Sequence, residues 1–264
     1  YQTFPKICPN CGMQTAMRLV GTGTEQIEQD LRTVFPDARL LRMDRDTLHG
    51  KHALSEMQQK IQSHEVDIVI GTQLITKGHD FPNVTLVGVL LADLGLNLPD
   101  FRSAERTFQL LTQVAGRAGR GEKPGRVLIQ TNNPHHHSLL TAQLQDYASF
   151  VNQELPLRER FRQPPFMSLA SVLCISRDEH RAKDLALSLR QNLRSNGQGQ
   201  VICQGPAEAP IRRINHRFRW QVLIKAYSAG LIRKIFEKSL LGPEPLICSR
   251  EENIILDIDP QHLM

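Results

Sequence analysis

Apolar residues recur along the chain with two different rhythms, and the rhythm changes once. From residue 24 to 35, Ile27, Leu31, Val34 and Phe35 fall at helical spacing, between strand-like runs at 17–20 and 39–43. A helix over 53–63, strands over 66–71 and 84–91, a helix over 101–115 and a strand over 126–130 follow. Runs such as Asp67-Ile68-Val69-Ile70 and Leu86-Val87-Gly88-Val89-Leu90-Leu91 are almost continuously apolar, as expected when helices cover both faces of a parallel sheet. This part of the chain reads as an α/β domain with a parallel sheet. A long helix is expected from 136 to 162, ended by Pro164-Pro165. Beyond that pair the order becomes strand (168–176), helix (178–194), strand (201–204), strand (218–227), helix (228–241) and strand (254–258), with Asp178 and Ser228 as caps. That β-α-β-β-α-β order is the ferredoxin-like pattern of an α+β domain.

Composition narrows the class. The 264 residues suffice for about two domains, with 40% apolar and 22% charged positions and no apolar run near the length of a membrane span. The chain starts at Tyr1 without a basic-then-apolar leader and reads as a fragment. Five cysteines, an odd number, do not suggest a disulfide framework, so a cytoplasmic setting is expected. Cys174, Cys203 and Cys248 sit singly in apolar runs and read as buried thiols. Cys8-Pro9-Asn10-Cys11-Gly12 is a C-x-x-C knuckle able to take two corners of a tetrahedral zinc. The competing redox reading needs the pair at a helix N-terminus, whereas here Gly12 and a short strand follow.

Charge is unevenly spread. Residues 1–163 carry 18 cations and 17 acids, but 164–264 carry 14 and 10. Between Ala209 and Phe236 lie seven cations (Arg212, Arg213, Arg217, Arg219, Lys225, Arg233, Lys234) and no acid. Two readings remain open for this run. It is either a solvated face, or arginines interleaved with Phe218, Trp220 and Tyr227 for backbone pairing and base stacking on a nucleic acid. Trp220, the only tryptophan, is equally a core candidate.

The chemistry concentrates in three loops. In Gln113-Val114-Ala115-Gly116-Arg117-Ala118-Gly119-Arg120, two arginines three apart follow a helix that ends in glycines. Paired guanidinium forks suit charge developing on a transferring phosphoryl group, and a solvated glycine-rich turn is the plainer alternative. The segment from Gly71 to Pro82 follows a buried strand at the carboxyl edge of the sheet, where open α/β folds bind ligands. Its Thr72, Gln73, Thr76, Lys77 and Asp80 suit phosphate or sugar oxygens. Gly21-Thr22-Gly23-Thr24-Glu25 joins a strand to a helix N-terminus, and is either an anion site or a tight turn capped by Thr24. Neither a G-x-x-x-x-G-K-S/T loop nor an acidic quartet for Mg²⁺ occurs, so these arginines would serve a nucleotide held elsewhere. His135-His136-His137 reads as a solvated or capping run at a helix start rather than a metal site.

Through these residues the chain resembles the second RecA-like lobe of superfamily 2 DNA helicases and, within them, the bacterial replication-restart helicases. "GTQLITKGHDFP" resembles helicase motif V and "QVAGRAGR" motif VI; "GTGTEQ", "RMDRDT", "DFRSAER", "FRWQVLIK" and "LDIDP" extend the likeness over the whole chain. The resemblance implies the end of a zinc module over 1–16, RecA-like lobe 2 over 17–163 and a DNA- and partner-binding domain over 164–264. It implies that Arg117 and Arg120 are arginine fingers for ATP on an absent first lobe, in one motif with Gln113 and Gly116. It places Gly78 and Asp80, with Gly116, on the ATP side, and Thr22, Gly23, Thr24, Thr72, Gln73 and Lys77 on DNA. Arg212, Arg213, Arg217 and Arg219 would bind DNA near a fork. Cys8 and Cys11 would close an eight-cysteine, two-Zn²⁺ module whose other ligands lie upstream. The implied activity is ATP- and Mg²⁺-dependent 3′-to-5′ unwinding that recognises stalled or repaired forks and starts primosome assembly, with this chain alone inactive. Implied partners are forked and single-stranded DNA, single-stranded DNA-binding protein and the primosome proteins that load the replicative helicase. The setting is the cytoplasm, at the nucleoid, without a membrane. A non-motor DNA-binding or scaffold module is the alternative; under it the motif VI arginines have no purpose.

Overall fold

A computed structural model describes residues 23–44, 47, 53–72, 83–116, 118–119, 124–241, 246 and 251–263. The fold is mixed α/β with small parallel and antiparallel sheets. The chain divides into two compact units, residues 1–96 with 106–145, and residues 97–105 with 146–264.

In the first unit, helix α1 (Thr24–Val34) leads into strand β1 (Leu40–Met43), and α2 (Ala53–Gln62) leads into β2 (Ile68–Gly71). β1 and β2 pair in parallel with Met43 opposite Gly71, so residues 44 and 72 follow at one carboxyl edge. β3 (Leu86–Val89) pairs in parallel with β4 (Arg126–Ile129). Between them in sequence lie the short α3 (Asp93–Leu96) and α4 (Ser103–Ala115), whose Phe108, Leu111 and Val114 are buried on one stripe. The apolar runs predict one parallel sheet; among the described residues there are two separate two-stranded parallel sheets. The predicted strand at 17–20 lies outside the described residues.

The helix predicted over 136–162 is two helices, α5 (His137–Gln143) and α6 (Tyr147–Arg160). Gln145 takes a left-handed φ of 54°, which ends the first, and Asp146 starts the second by accepting from the Ser149 amide and hydroxyl. His136 caps α5 through its ring nitrogen, in line with the capping reading of the histidine run.

The second unit continues with β5 (Ser168–Ser176), α7 (Glu179–Gly197), β6 (Ile202–Ile214), β7 (Arg217–Ala226), α8 (Ala229–Leu241) and β8 (Asn253–Ile258). They form one antiparallel sheet in the order β6-β7-β5-β8. Successive strand residues face opposite sides. Ala170, Val172 and Cys174 of β5 and Val222, Ile224 and Ala226 of β7 pack with Leu185, Leu189 and Leu193 of α7 and Ile232, Ile235 and Phe236 of α8. Asp178 caps α7 by accepting the His180 and Arg181 amides, and Ser228 accepts the Leu231 amide at α8. β6 runs ten residues past the predicted 201–204. Pro206 and Pro210 interrupt its pattern, but β6 is an edge strand, where a missing N–H need not face a partner, and two register shifts accommodate them. No described helix is long and apolar enough to cross a membrane.

Candidate functional site

At the carboxyl edge of β1 and β2, Gly23 stands exposed as the N-cap of α1 and supplies no side-chain cap. Thr24 donates its hydroxyl to Asp44 Oδ2 at 2.6 Å. Asp44 Oδ1 also accepts the Thr47 amide at 2.9 Å, and Arg42 Nε lies 3.1 Å from Oδ2. The Thr24 hydroxyl is the main influence holding the Asp44 carboxyl below its ordinary pKa, aided by Thr47 and Arg42 against the cost of burial. Because a hydroxyl has one proton to donate, and Asp44 takes it, Thr24 can meet an anion here only through its backbone amide at the helix N-terminus. Thr72 follows β2 and is exposed at the same edge. Of the expected site residues nearby, Thr22, Gln73, Lys77, Gly78 and Asp80 lie outside the described residues.

At the end of α4, Gln113 is exposed and the Gly116 amide bonds Thr112 O at 3.0 Å, closing the last helical turn. Gly119 has a φ of +77° and donates its amide to Val84 O. A side chain there would meet Gly125 N at 2.5 Å, so this turn requires glycine. Arg117 and Arg120, on which the phosphoryl reading rests, are outside the described residues, as are Cys8 and Cys11. Cys174 and Cys203 are buried free thiols; burial pushes the Cys203 thiol pKa up. Among the described residues, no three His, Cys, Asp or Glu side chains gather as a metal site. A further buried carboxylate, Asp93, accepts from Thr131 Oγ1 at 2.8 Å and from the Asn132 amide at 2.7 Å. Burial opposes its charge, yet these donors prevail and hold its pKa low.

In the second unit, β6 and β7 form a hairpin closed by Asn215 and His216, both with positive φ (50° and 60°), the two-residue turn whose twist suits a hairpin. The four arginines expected on DNA divide around it. Arg212 is ion-paired to Glu179 and lies 3.7 Å from Glu208, and Arg213 sits over the Phe218 ring at 4.9 Å. Arg217 and Arg219 point the other way, into an open cleft of about 550 Å³ that they share with Ile175, Arg177, Ile214 and Asn215. Trp220 packs against the core beneath Lys183, so the core reading of this tryptophan holds.

Two site features escaped the sequence reading. Asp44 lies inside the "RMDRDT" run, and its only signal was a carboxylate directly after a parallel strand. Arg177 falls outside the acid-free run and carried no signal of its own.

Residues 159–261 match the family model described as Primosomal protein N C-terminal domain. Over 263 residues, all of this chain and 32% of the relative, the chain is 41% identical to the replication restart protein PriA of Bacillus subtilis (strain 168). It is 40% identical over 258 residues to that of Synechocystis sp. (97% of this chain, 30% of the relative) and 36% over 262 residues to that of Haemophilus influenzae (99% and 36%). The chain belongs to the PriA family. It is a PriA C-terminal region, and spans about a third of the length of the curated relatives it matches. The arginine hairpin lies inside the stretch matched to the family model, whereas the β1–β2 edge and the α4 turn are covered by the similarity to about a third of the PriA relatives' length.

Proposed function

We propose that this chain is the C-terminal part of an ATP-dependent 3′-to-5′ DNA helicase that works in replication restart. The observation that carries the reading is similarity along the entire chain to proteins named replication restart protein PriA, together with the arginine pair of "QVAGRAGR" after α4. In this reading the first unit is a RecA-like lobe, and the second, whose strand order β6-β7-β5-β8 supports it, is a ferredoxin-like domain. ATP and Mg²⁺ bind mainly to another lobe. Arg117 and Arg120 reach the γ-phosphate, where arginine fingers contribute on the order of 10³-fold or more in rate. Gln113, Gly116, Gly78 and Asp80 support that contact. Gly23, Thr24 and Thr72 at the β1–β2 edge, with Thr22, Gln73 and Lys77, hold the DNA backbone, so that cleft closure moves the lobe along a strand. Cys8 and Cys11 supply two thiolates of a zinc site. The buried Cys174 and Cys203 take no part in it.

The partners of this reading are forked and single-stranded DNA, single-stranded DNA-binding protein and primosome proteins, in a cytoplasmic, nucleoid-associated setting. The basic hairpin favours a second reading, a DNA-binding scaffold without motor function. The two separate on ATP. Under the motor reading Arg117 and Arg120 become protected from arginine-directed modification when an ATP-loaded first lobe is added; under the scaffold reading they do not. The motor reading also expects the purified 264-residue chain to hydrolyse no ATP with or without single-stranded DNA, and robust turnover would overturn it.

A further inference from the structure

The alternation of β7 separates the basic run from its aromatic neighbours. Arg217 and Arg219 lie on one face of the strand, and Phe218, Trp220 and Val222 on the other, where α7 and α8 cover the sheet. On the opposite face, which is buried around Leu169, Ser171 and Lys225 but opens toward the β6–β7 turn, Arg219 pairs across the ladder with Ile175, and Arg177 follows just past the end of β5. Arg217 and Arg219 are two residues apart on a strand, hence about 6.6 Å, a spacing at which two side chains can meet successive phosphates of an extended strand. Among the described residues neither is ion-paired to a carboxylate. Arg177 pairs with Glu251 at 3.0 Å, but both side chains are more than half exposed, so the pair is weak and easily exchanged. The six residues lining the cleft include no aromatic ring and no acid. Planar guanidinium forks in an open cleft, flanked by Ile175 and Ile214 and lacking a ring for a base to stack on, suit phosphodiester oxygens rather than bases.

We propose that Arg177, Arg217 and Arg219 form a phosphate-binding cleft on the sheet face opposite α7 and α8 that holds single-stranded DNA by its backbone alone, without base stacking. Arg212 and Arg213, turned toward Glu179 and Phe218, lie outside it. The inference rests on the reading of this chain as one that works on DNA, and it adds Arg177 and the mode of contact.

The test is binding of a labelled oligo(dT) to the full chain by fluorescence anisotropy across a salt series. The triple variant Arg177→Ala/Arg217→Ala/Arg219→Ala is expected to bind about tenfold or more weakly, with the log–log salt slope reduced by about 2, since each phosphate contact on a single strand contributes about 0.7. The double variant Arg194→Ala/Lys238→Ala, which removes exposed charge elsewhere on the same unit, is expected to change affinity less than threefold. Arg212→Ala/Arg213→Ala is expected to lose less than Arg217→Ala/Arg219→Ala. Emission from Trp220 is expected to stay constant during titration, and an oligoglutamate of equal charge is expected to compete poorly. Wild-type binding with an unaffected triple variant, quenching of Trp220, or equal competition by oligoglutamate would each overturn the cleft alone. A wild-type chain that binds no oligo(dT) would overturn the cleft and the DNA-contact part of the proposed function together.

Discussion

The two units use their helices differently. In the second, α7 sets Ala182, Leu185, Ala186, Leu189 and Leu193 into the core and α8 adds Ile232, Ile235 and Phe236. In the first, α1 and α2 bury no residue among those described, although Ile27 and Leu31 keep the helical spacing of an inner face. What ties α1 to its strand is polar: the Thr24–Asp44 bond, and Arg42 beside Glu25, Glu28 and Asp44. Apolar area removed from water, which scales with the atoms buried, holds α7 and α8 to their sheet, and in the first unit it holds α4 through Phe108, Leu111 and Val114, whereas α1 is tied at the strand end where the candidate contacts to DNA lie.

The largest effect should therefore come from the second unit's core. Leu189, fully buried, changed to Ala should cost about 2–5 kcal/mol, read as a lower urea midpoint in the emission of Trp220, whereas Leu128→Ala, at a position 62% exposed, should stay within about 0.5 kcal/mol. Similar losses at the two positions would erase the contrast between core and surface.

A smaller effect is expected at the polar tie of the first unit. Asp44→Asn leaves Thr24, Thr47 and Arg42 with a weaker acceptor and should cost about 1–3 kcal/mol. Its pH dependence has a definite sign. The folded Asp44 pKa lies below the unfolded value, so the unfolded chain binds more protons in acid. The stabilisation is then complete above the unfolded carboxylate range and is lost as pH falls through the folded pKa. Far-UV circular dichroism melts of wild type and Asp44→Asn should converge as pH falls through the folded Asp44 pKa; a constant gap would show that the Asp44 charge is not the tie. At the small end, Asp178→Ala removes the cap of α7 and should cost about 1 kcal/mol, measured again through Trp220.

Local rules made most of the second unit legible in advance. β5 shows a nine-residue run, α7 and α8 announce themselves with Asp178 and Ser228, and β7 alternates arginines with aromatic and aliphatic residues. Features set by distant partners or unusual backbone were not legible. The break between α5 and α6 depends on a left-handed Gln145, which no periodicity reveals, and the length of β6 was hidden by prolines that only an edge strand tolerates. The Thr24–Asp44 bond joins residues twenty apart. The arginine run was visible as charge, but its division around the hairpin follows from the shifted pairing of β6 with β7, and the place of Arg177 beside it from the pairing of β7 with β5. The proposed phosphoryl-facing role of Arg117 and Arg120 was legible only as the motif that follows α4.

The most direct test of that role is the DNA-stimulated ATPase rate of an intact PriA-type protein carrying Arg117→Ala. The account predicts a loss on the order of 10³-fold in turnover with single-stranded DNA binding retained; turnover within a few-fold of the unaltered protein would contradict it.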